Sequence, residues 1–180
     1  MNPVPLAPTY QVVQDLCQEL RDKDPHTDYL VFLDNLFLTL SLAHTLLNIQ
    51  FGVMGTIRKN HKDFPPRFLD VKLSDANFTY GSCATEVINH ALCFLWQDNA
   101  PVIGITTAFS IREGPNDYVV KRRKRPTNNA VAAPIFGNEA QKDLPIPRAI
   151  NAYNYGHGFI DIVDHLRANS SCQRKWDKRI

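Results

Sequence analysis

The first eight residues carry three prolines, and after this lead-in (residues 1–9) Tyr10, Val13, Leu16, Cys17 and Leu20 recur three and four positions apart. That period predicts an amphipathic helix over Tyr10–Leu20, closed by Asp22, Lys23, Asp24 and Pro25. Asp28-Tyr29-Leu30-Val31-Phe32-Leu33 then runs apolar without alternation, so it reads as a buried strand, and Asp34 stands where it stops. Leu36, Leu40, Ala43 and Leu47 form one stripe with Leu42, Leu46 and Ile49 beside it, which predicts a helix over Leu36–Ile49 buried on more than one side. Phe51–Ile57 follows as a short strand. Helix, strand, helix, strand is an α/β alternation whose sheet needs cover on both faces, and two strands are too few to make that sheet.

From Arg58 to Pro66 the chain turns basic and proline-bearing, and three strand-like runs follow at Phe78–Ala84, Ala91–Gln97 and Val102–Ser110. They predict a β-rich middle. Asp117–Pro147 reads as an irregular loop, with the basic run Lys121-Arg122-Arg123-Lys124-Arg125, an asparagine pair and Pro126, Pro134, Pro145 and Pro147. Phe159, Ile160, Val163 and Leu166 restore helical spacing up to the polar stop Asn169-Ser170-Ser171, and Gly156-His157-Gly158 permits a tight turn into that helix. No internal repeat is present.

At 180 residues, 44% of them hydrophobic, the chain holds one domain with a real core. Twenty Lys and Arg against eighteen Asp and Glu leave a net charge of +2, so affinity for nucleic acid has to come from a local patch. The four cysteines include no C-x-x-C pair and nothing after Met1 resembles a signal core, which fits reduced thiols in an intracellular protein and gives a zinc site no supporting spacing. The most apolar stretch, Tyr29–Ile49, is broken by Asp34, Asn35, His44 and Asn48, short of the roughly 18 apolar residues of a membrane span.

Asp34 has two readings: a metal-binding carboxylate held rigidly at a strand end, or, with Asn35, the N-cap of the next helix. Asp161 and Asp164 lie one turn apart, as hard-oxygen ligands of Mg2+ or Mn2+ would, or as acids favoured near a helix N-terminus. His157 and His165 read as ordinary polar residues. The Lys121–Arg125 run can neutralise phosphates or serve as a nuclear import address, and it can also be a merely solvated run. Trp96 and Tyr80 either stack on bases or pack in the core. Asn77-Phe78-Thr79 and Asn169-Ser170-Ser171 match the glycosylation pattern, which is idle in a chain outside the secretory route.

Four stretches in order resemble the transposases of piggyBac-type elements, over most of Tyr10–Trp176. Val31-Phe32-Leu33-Asp34-Asn35-Leu36-Phe37-Leu38-Thr39 is similar to the block that holds that family's second catalytic aspartate. Gly52-Val53-Met54-Gly55-Thr56-Ile57-Arg58-Lys59-Asn60, followed by Pro65, resembles its glycine-threonine-valine-arginine-x-asparagine segment. Trp96-Gln97-Asp98-Asn99-Ala100-Pro101-Val102, with Thr106 and Thr107, is similar to the tryptophan-x-aspartate strand pair of its insertion. Tyr153-Asn154-Tyr155-Gly156-His157-Gly158-Phe159-Ile160-Asp161-Ile162-Val163-Asp164-His165 aligns without gaps to the block ending in its third aspartate.

The resemblance implies an α/β fold: a partial RNase H-like core with a β-rich insertion, corresponding to the C-terminal part of the catalytic domain. Residues 10–60 would be the middle of that core, 61–147 the insertion and basic loop, and 148–180 its C-terminal helix. Asp34 and Asp161 would bind Mg2+ or Mn2+ as catalytic carboxylates, with Asp164 the additional acid. The chemistry would be metal-assisted DNA cleavage and strand transfer in a nuclear protein. DNA contacts are expected from Lys121, Arg122, Arg123, Lys124, Arg125, Arg58 and Lys59. The family's first aspartate belongs upstream of the helix matched by Tyr10–Leu20, yet no residue before Tyr10 is acidic. The chain is therefore expected to lack the first three strands and the bridging carboxylate, to be catalytically inactive, and to expose apolar faces prone to self-association. His157, Phe159 and His165 replace the methionine, second glycine and glutamine of the pattern, and Phe159 is expected to disturb a loop before Asp161. The alternative is a retained, non-catalytic DNA- or protein-binding module working through the basic run.

Overall fold

A computed structural model describes residues 6–58, 61, 63–69, 78–112, 114–126 and 129–169, with 69, 115, 129–131 and 159–169 as backbone only. α1 (Pro8–Lys23) starts with proline in its first turn, where the missing N–H costs nothing, and runs three residues past the expected end. β1 (Tyr29–Leu33), α2 (Leu40–Asn48) and β2 (Phe51–Thr56) follow, then α3 (Pro66–Leu69), β3 (Cys83–Ile88), β4 (Ala91–Gln97) and β5 (Pro101–Thr106). β6 (Tyr118–Lys124), α4 (Asn129–Phe136), β7 (Gln141–Pro147) and α5 (Arg148–Asn169) complete the described order.

One five-stranded sheet runs β1-β2-β5-β4-β3, and β6 pairs with β7 in a separate hairpin. β1 and β2 are parallel, Leu33 opposite Gly55; all other pairs are antiparallel. Strands on both sides of residue 60 thus share a single sheet. Alternation sends Val31, Leu33, Phe51, Val53, Cys93, Leu95, Ile103 and Ile105 into a core with Cys17 of α1 and Leu42, Ala43 and Leu46 of α2. Met54, Phe94 and Trp96 point the other way, onto Ala149 and Ile150 of α5, Ile146 of β7 and Ile111. Helices therefore cover one face, and α5 with the hairpin covers the other.

Several expectations change. β1 lies at the sheet's edge and Leu30 is exposed, so the continuous apolar run marks an edge strand here and not one buried on both faces. α2 begins at Leu40, because Asp34–Phe37 form a turn and Thr39 takes the N-cap. The strand expected at Phe78–Ala84 sits at Cys83–Ile88. Asp117–Pro147 is not an irregular loop: Pro145 and Pro147 lie within β7, a strand paired on one side only, where a missing N–H is tolerated.

Nor do Gly156-His157-Gly158 form a turn. α5 passes straight through them, and Phe159 lies on the same helical backbone, which suits any L residue. Gly156 is required there by proximity, since a Cβ would lie 2.5 Å from Cδ2 of Phe32. Gly55 is needed for the same kind of reason: a Cβ would overlap the Leu33 carbonyl and the Leu38 side chain.

Arg21 pins the opposite end of the parallel pair. Its Nε donates to the Ile49 carbonyl at 3.1 Å, Nη2 to that of Gln50 at 2.8 Å, and Nη1 to those of Pro25 and Thr27 at 3.0 and 2.8 Å. The guanidinium lies 5.1 Å from the ring centroids of both Tyr29 and Phe51, which stack on each other. Cys17, Cys83 and Cys93 are free thiols, and burial pushes the last two up to about 12, so they are packing groups at neutral pH.

The glycines of α5 give a paired test. Gly156→Ala is expected to destabilise by about 1–3 kcal/mol through overpacking against Phe32. Gly158→Ala, with nothing within 4 Å of the added carbon, should stabilise by up to ~1 kcal/mol. Urea denaturation of both variants reads the difference; equal shifts would remove the close approach.

Candidate catalytic acids and nucleic-acid surface

Asp34 is exposed at the C-terminal end of β1. Its Oδ1 accepts the Asn35 amide at 2.6 Å, and its carbonyl accepts those of Phe37 and Leu38. Neither Asp34 nor Asn35 caps α2; the hydroxyl of Thr39 does so by accepting the Leu42 amide at 3.1 Å. Because the strands are parallel, the ends of β1 and β2 coincide, with Asp34 just past Leu33 and Thr56 just past Gly55. Thr56 Oγ1 lies 3.3 Å from the Tyr153 hydroxyl on α5, and the Tyr153 ring is 5.4 Å from that of His157. Sequence reasoning did not single out Thr56 or Tyr153, although both lie inside the matched blocks.

Asp161 and Asp164 fall well inside α5, with Asp161 about three and a half turns from its start. An N-terminal dipole therefore does not account for them, because that effect fades within the first turn. Their side chains lie outside the described residues, as does that of His165.

The basic run forms most of β6, and its members divide by strand alternation and by partner. Arg123 is half-buried: Nη2 donates to Asp98 Oδ2 at 2.6 Å and Nε to the Tyr80 hydroxyl at 3.2 Å. Burial works against its charge, but these two partners outweigh that and raise its pKa. Tyr80 is raised in turn, chiefly by burial. Arg122 Nη1 lies 3.4 Å from Asp143 Oδ2 directly across the hairpin, and Arg125 Nη1 donates to the Gly137 carbonyl at 2.7 Å. Lys121, Lys124 and Arg58 are exposed, while Lys59 lies outside the described residues. Arg123 is thus chiefly a clamp between the hairpin and the β4–β5 turn, a role that charge patterning could not reveal. Tyr80 and Trp96 are both buried, so the packing reading of these aromatics holds.

The sequence profile described as Transposase IS4 matches residues 2–180. The chain belongs to that transposase family. In a cryo-EM structure of a piggyBac transposase synaptic complex with hairpin DNA, the matched chain is 15% identical at a TM-score of 0.57. The match covers 93% of these residues but only 28% of that chain, so the protein spans under a third of its structural relative. The likeness shows a shared mixed α/β fold and agrees with the piggyBac-type resemblance of the four sequence blocks. No curated protein matches the chain.

Members of this transposase family generally depend on a divalent metal. Among the described residues no group of three or more His, Cys, Asp or Glu converges closely enough to hold an ion. Asp34 offers a hard oxygen donor, but one exposed carboxylate does not compete with water for Mg2+. The described residues therefore do not make up the metal site that the family implies. No helix among them is long and apolar enough to cross a membrane.

Arg123→Gln is expected to cost about 1–3 kcal/mol of stability, because it leaves Asp98 partly buried without its cation. Thermal unfolding of Arg123→Gln, Asp98→Asn and the double variant should show a coupling of similar size; additive losses would dissolve the clamp.

Proposed function

We propose that these residues are a portion of a piggyBac-type transposase catalytic core with RNase H-like architecture, bind DNA, and do not cut or join it on their own. The observation that carries the reading is Asp34 at the end of a parallel strand whose outer edge is unpaired, with no group of three or more His, Cys, Asp or Glu assembled around it among the described residues. Hard-metal phosphodiester chemistry needs carboxylates brought together from separate elements, and α5, which packs on β1 through Gly156, is the element that would bring Asp161. Within these 180 residues the first acid is Asp15, on α1, so no carboxylate stands ahead of that helix.

The open edge of β1 supports a sheet that continues with further strands, as does the exposed flank Val12, Leu16 and Leu20 of α1. Left uncovered, these surfaces favour self-association. Mg2+ or Mn2+ as the ion, a nuclear location and the division at residues 60 and 147 belong to the same proposal. The runner-up, a non-catalytic DNA-binding module, draws on exposed Lys121 and Lys124 and needs no acid at all.

Two measurements test these readings. Given hairpin or flush DNA ends with Mg2+ or Mn2+, the chain should yield no nicked or joined product. Cleavage that disappears with Asp34→Asn would refute the inactive reading. In a salt series, DNA binding should weaken steeply, and Lys121→Gln with Lys124→Gln should reduce the slope by about 0.9 for each phosphate no longer neutralised. A chain that ignores DNA at low salt would remove both readings.

A further inference from the structure

Beyond the basic strand, a separate groove of about 270 Å³ runs between the β3–β4 turn and the segment after β5. Thr85 and Val87 of β3, Leu92 of β4, Phe109, His90 and Arg112 are among the residues that line it. Neither Arg112 nor His90 has a side-chain hydrogen bond or ion pair among the described residues, so the guanidinium and the imidazole are both uncommitted there. Thr107, also at the groove, accepts the Val53 amide at 2.9 Å, which leaves its hydroxyl hydrogen free to donate. The nearest described acid in the hydrogen-bond network is Asp117. Both of its oxygens are engaged, by the Ser110 hydroxyl at 3.0 Å and the Arg112 amide at 2.9 Å.

His90 is held unusually. Asn89 and His90 both take positive φ, 46° and 69°, in the two-residue turn between β3 and β4, where that backbone ordinarily selects glycine at the second position. Strained conformations of this kind cluster at binding sites. Here that backbone carries His90 into the lining of the groove.

We infer that this groove is a second DNA-contacting surface, in which Arg112 and His90 hold phosphates of one strand while Val87, Leu92 and Phe109 face its sugars. The inference rests on the DNA-binding reading above and names a site for it outside the Lys121–Arg125 run. Charge complementarity selects the partner: the lining offers a guanidinium, an imidazole and a hydroxyl donor, and phosphodiester oxygens accept from all three. Groups of this type position a duplex without reading its sequence.

The test is fluorescence anisotropy of the full chain with a labelled DNA duplex across a salt series. Arg112→Gln should lower the magnitude of the log K against log salt slope by about 0.9, while Arg112→Lys keeps it. Arg112 has no side-chain partner among the described residues, so the thermal midpoint should not move, which separates weakened DNA binding from a damaged fold. If Arg112→Gln leaves the slope intact while Lys121→Gln with Lys124→Gln lowers it, the groove is not a DNA surface and the DNA-binding reading survives. If the groove instead captures poly-glutamate in an Arg112-dependent way and the DNA slope is unmoved, it is a protein surface and the inference falls. If the wild-type chain binds no DNA, both readings go together.

Discussion

Parallel pairing of β1 with β2 is the constraint on which the rest of this fold hangs. Two parallel strands cannot be joined by a tight turn, so the chain crosses over through α2 and brings both strand ends to one side. Parallel strands are apolar on both faces, so each face needs a layer: α1 with α2 on one, α5 with the β6–β7 hairpin on the other. Arg21 ties the starting ends of these strands to α1 through four carbonyls and two stacked rings. At the other end, small residues let the layers close: Gly55 beneath Leu38, and Gly156 against Phe32.

That arrangement explains where the chemistry-bearing residues sit. Asp34 and Thr56 come together because their strands run the same way, and the Tyr153 hydroxyl meets Thr56 because α5 lies over the same strands. Among the described residues the same pairing leaves the outer edge of β1 unpaired, and Tyr29–Leu33 carry no charge or proline of the kind that normally protects an edge. A member of the transposase family that spans 28% of its structural relative thus carries, among the described residues, an antiparallel side and a parallel side that ends in β1.

The basic run shows how one sequence feature divides in three dimensions. A strand sends alternate side chains to opposite faces, so five consecutive cations cannot act as one patch. Arg123 turns inward to Asp98 and Tyr80, Arg122 finds Asp143 across the hairpin, and Arg125 reaches a carbonyl. Lys121 and Lys124 keep the charge that a nucleic acid would meet. Arg112, isolated in sequence beside Glu113, belongs to no charge pattern along the chain, yet it lines the same groove as His90.

The sequence by itself determined the family, the helix-strand-helix-strand opening, the strands at Ala91–Gln97 and after Pro101, and the position of Asp34 at a strand end. Those follow from local periodicity and from residue types that stand in a recognisable order along the chain. Only the tertiary structure decided that β1 is an edge strand, that Gly156 and Gly158 lie inside a helix, and that Asp117–Pro147 forms a hairpin and helix. Each depends on a contact between residues far apart in the chain. A continuous apolar run cannot say how many neighbours will cover it, and a glycine pair cannot say whether it serves a turn or a close approach. A proline-rich, basic stretch cannot announce that its strand will be paired on one side only.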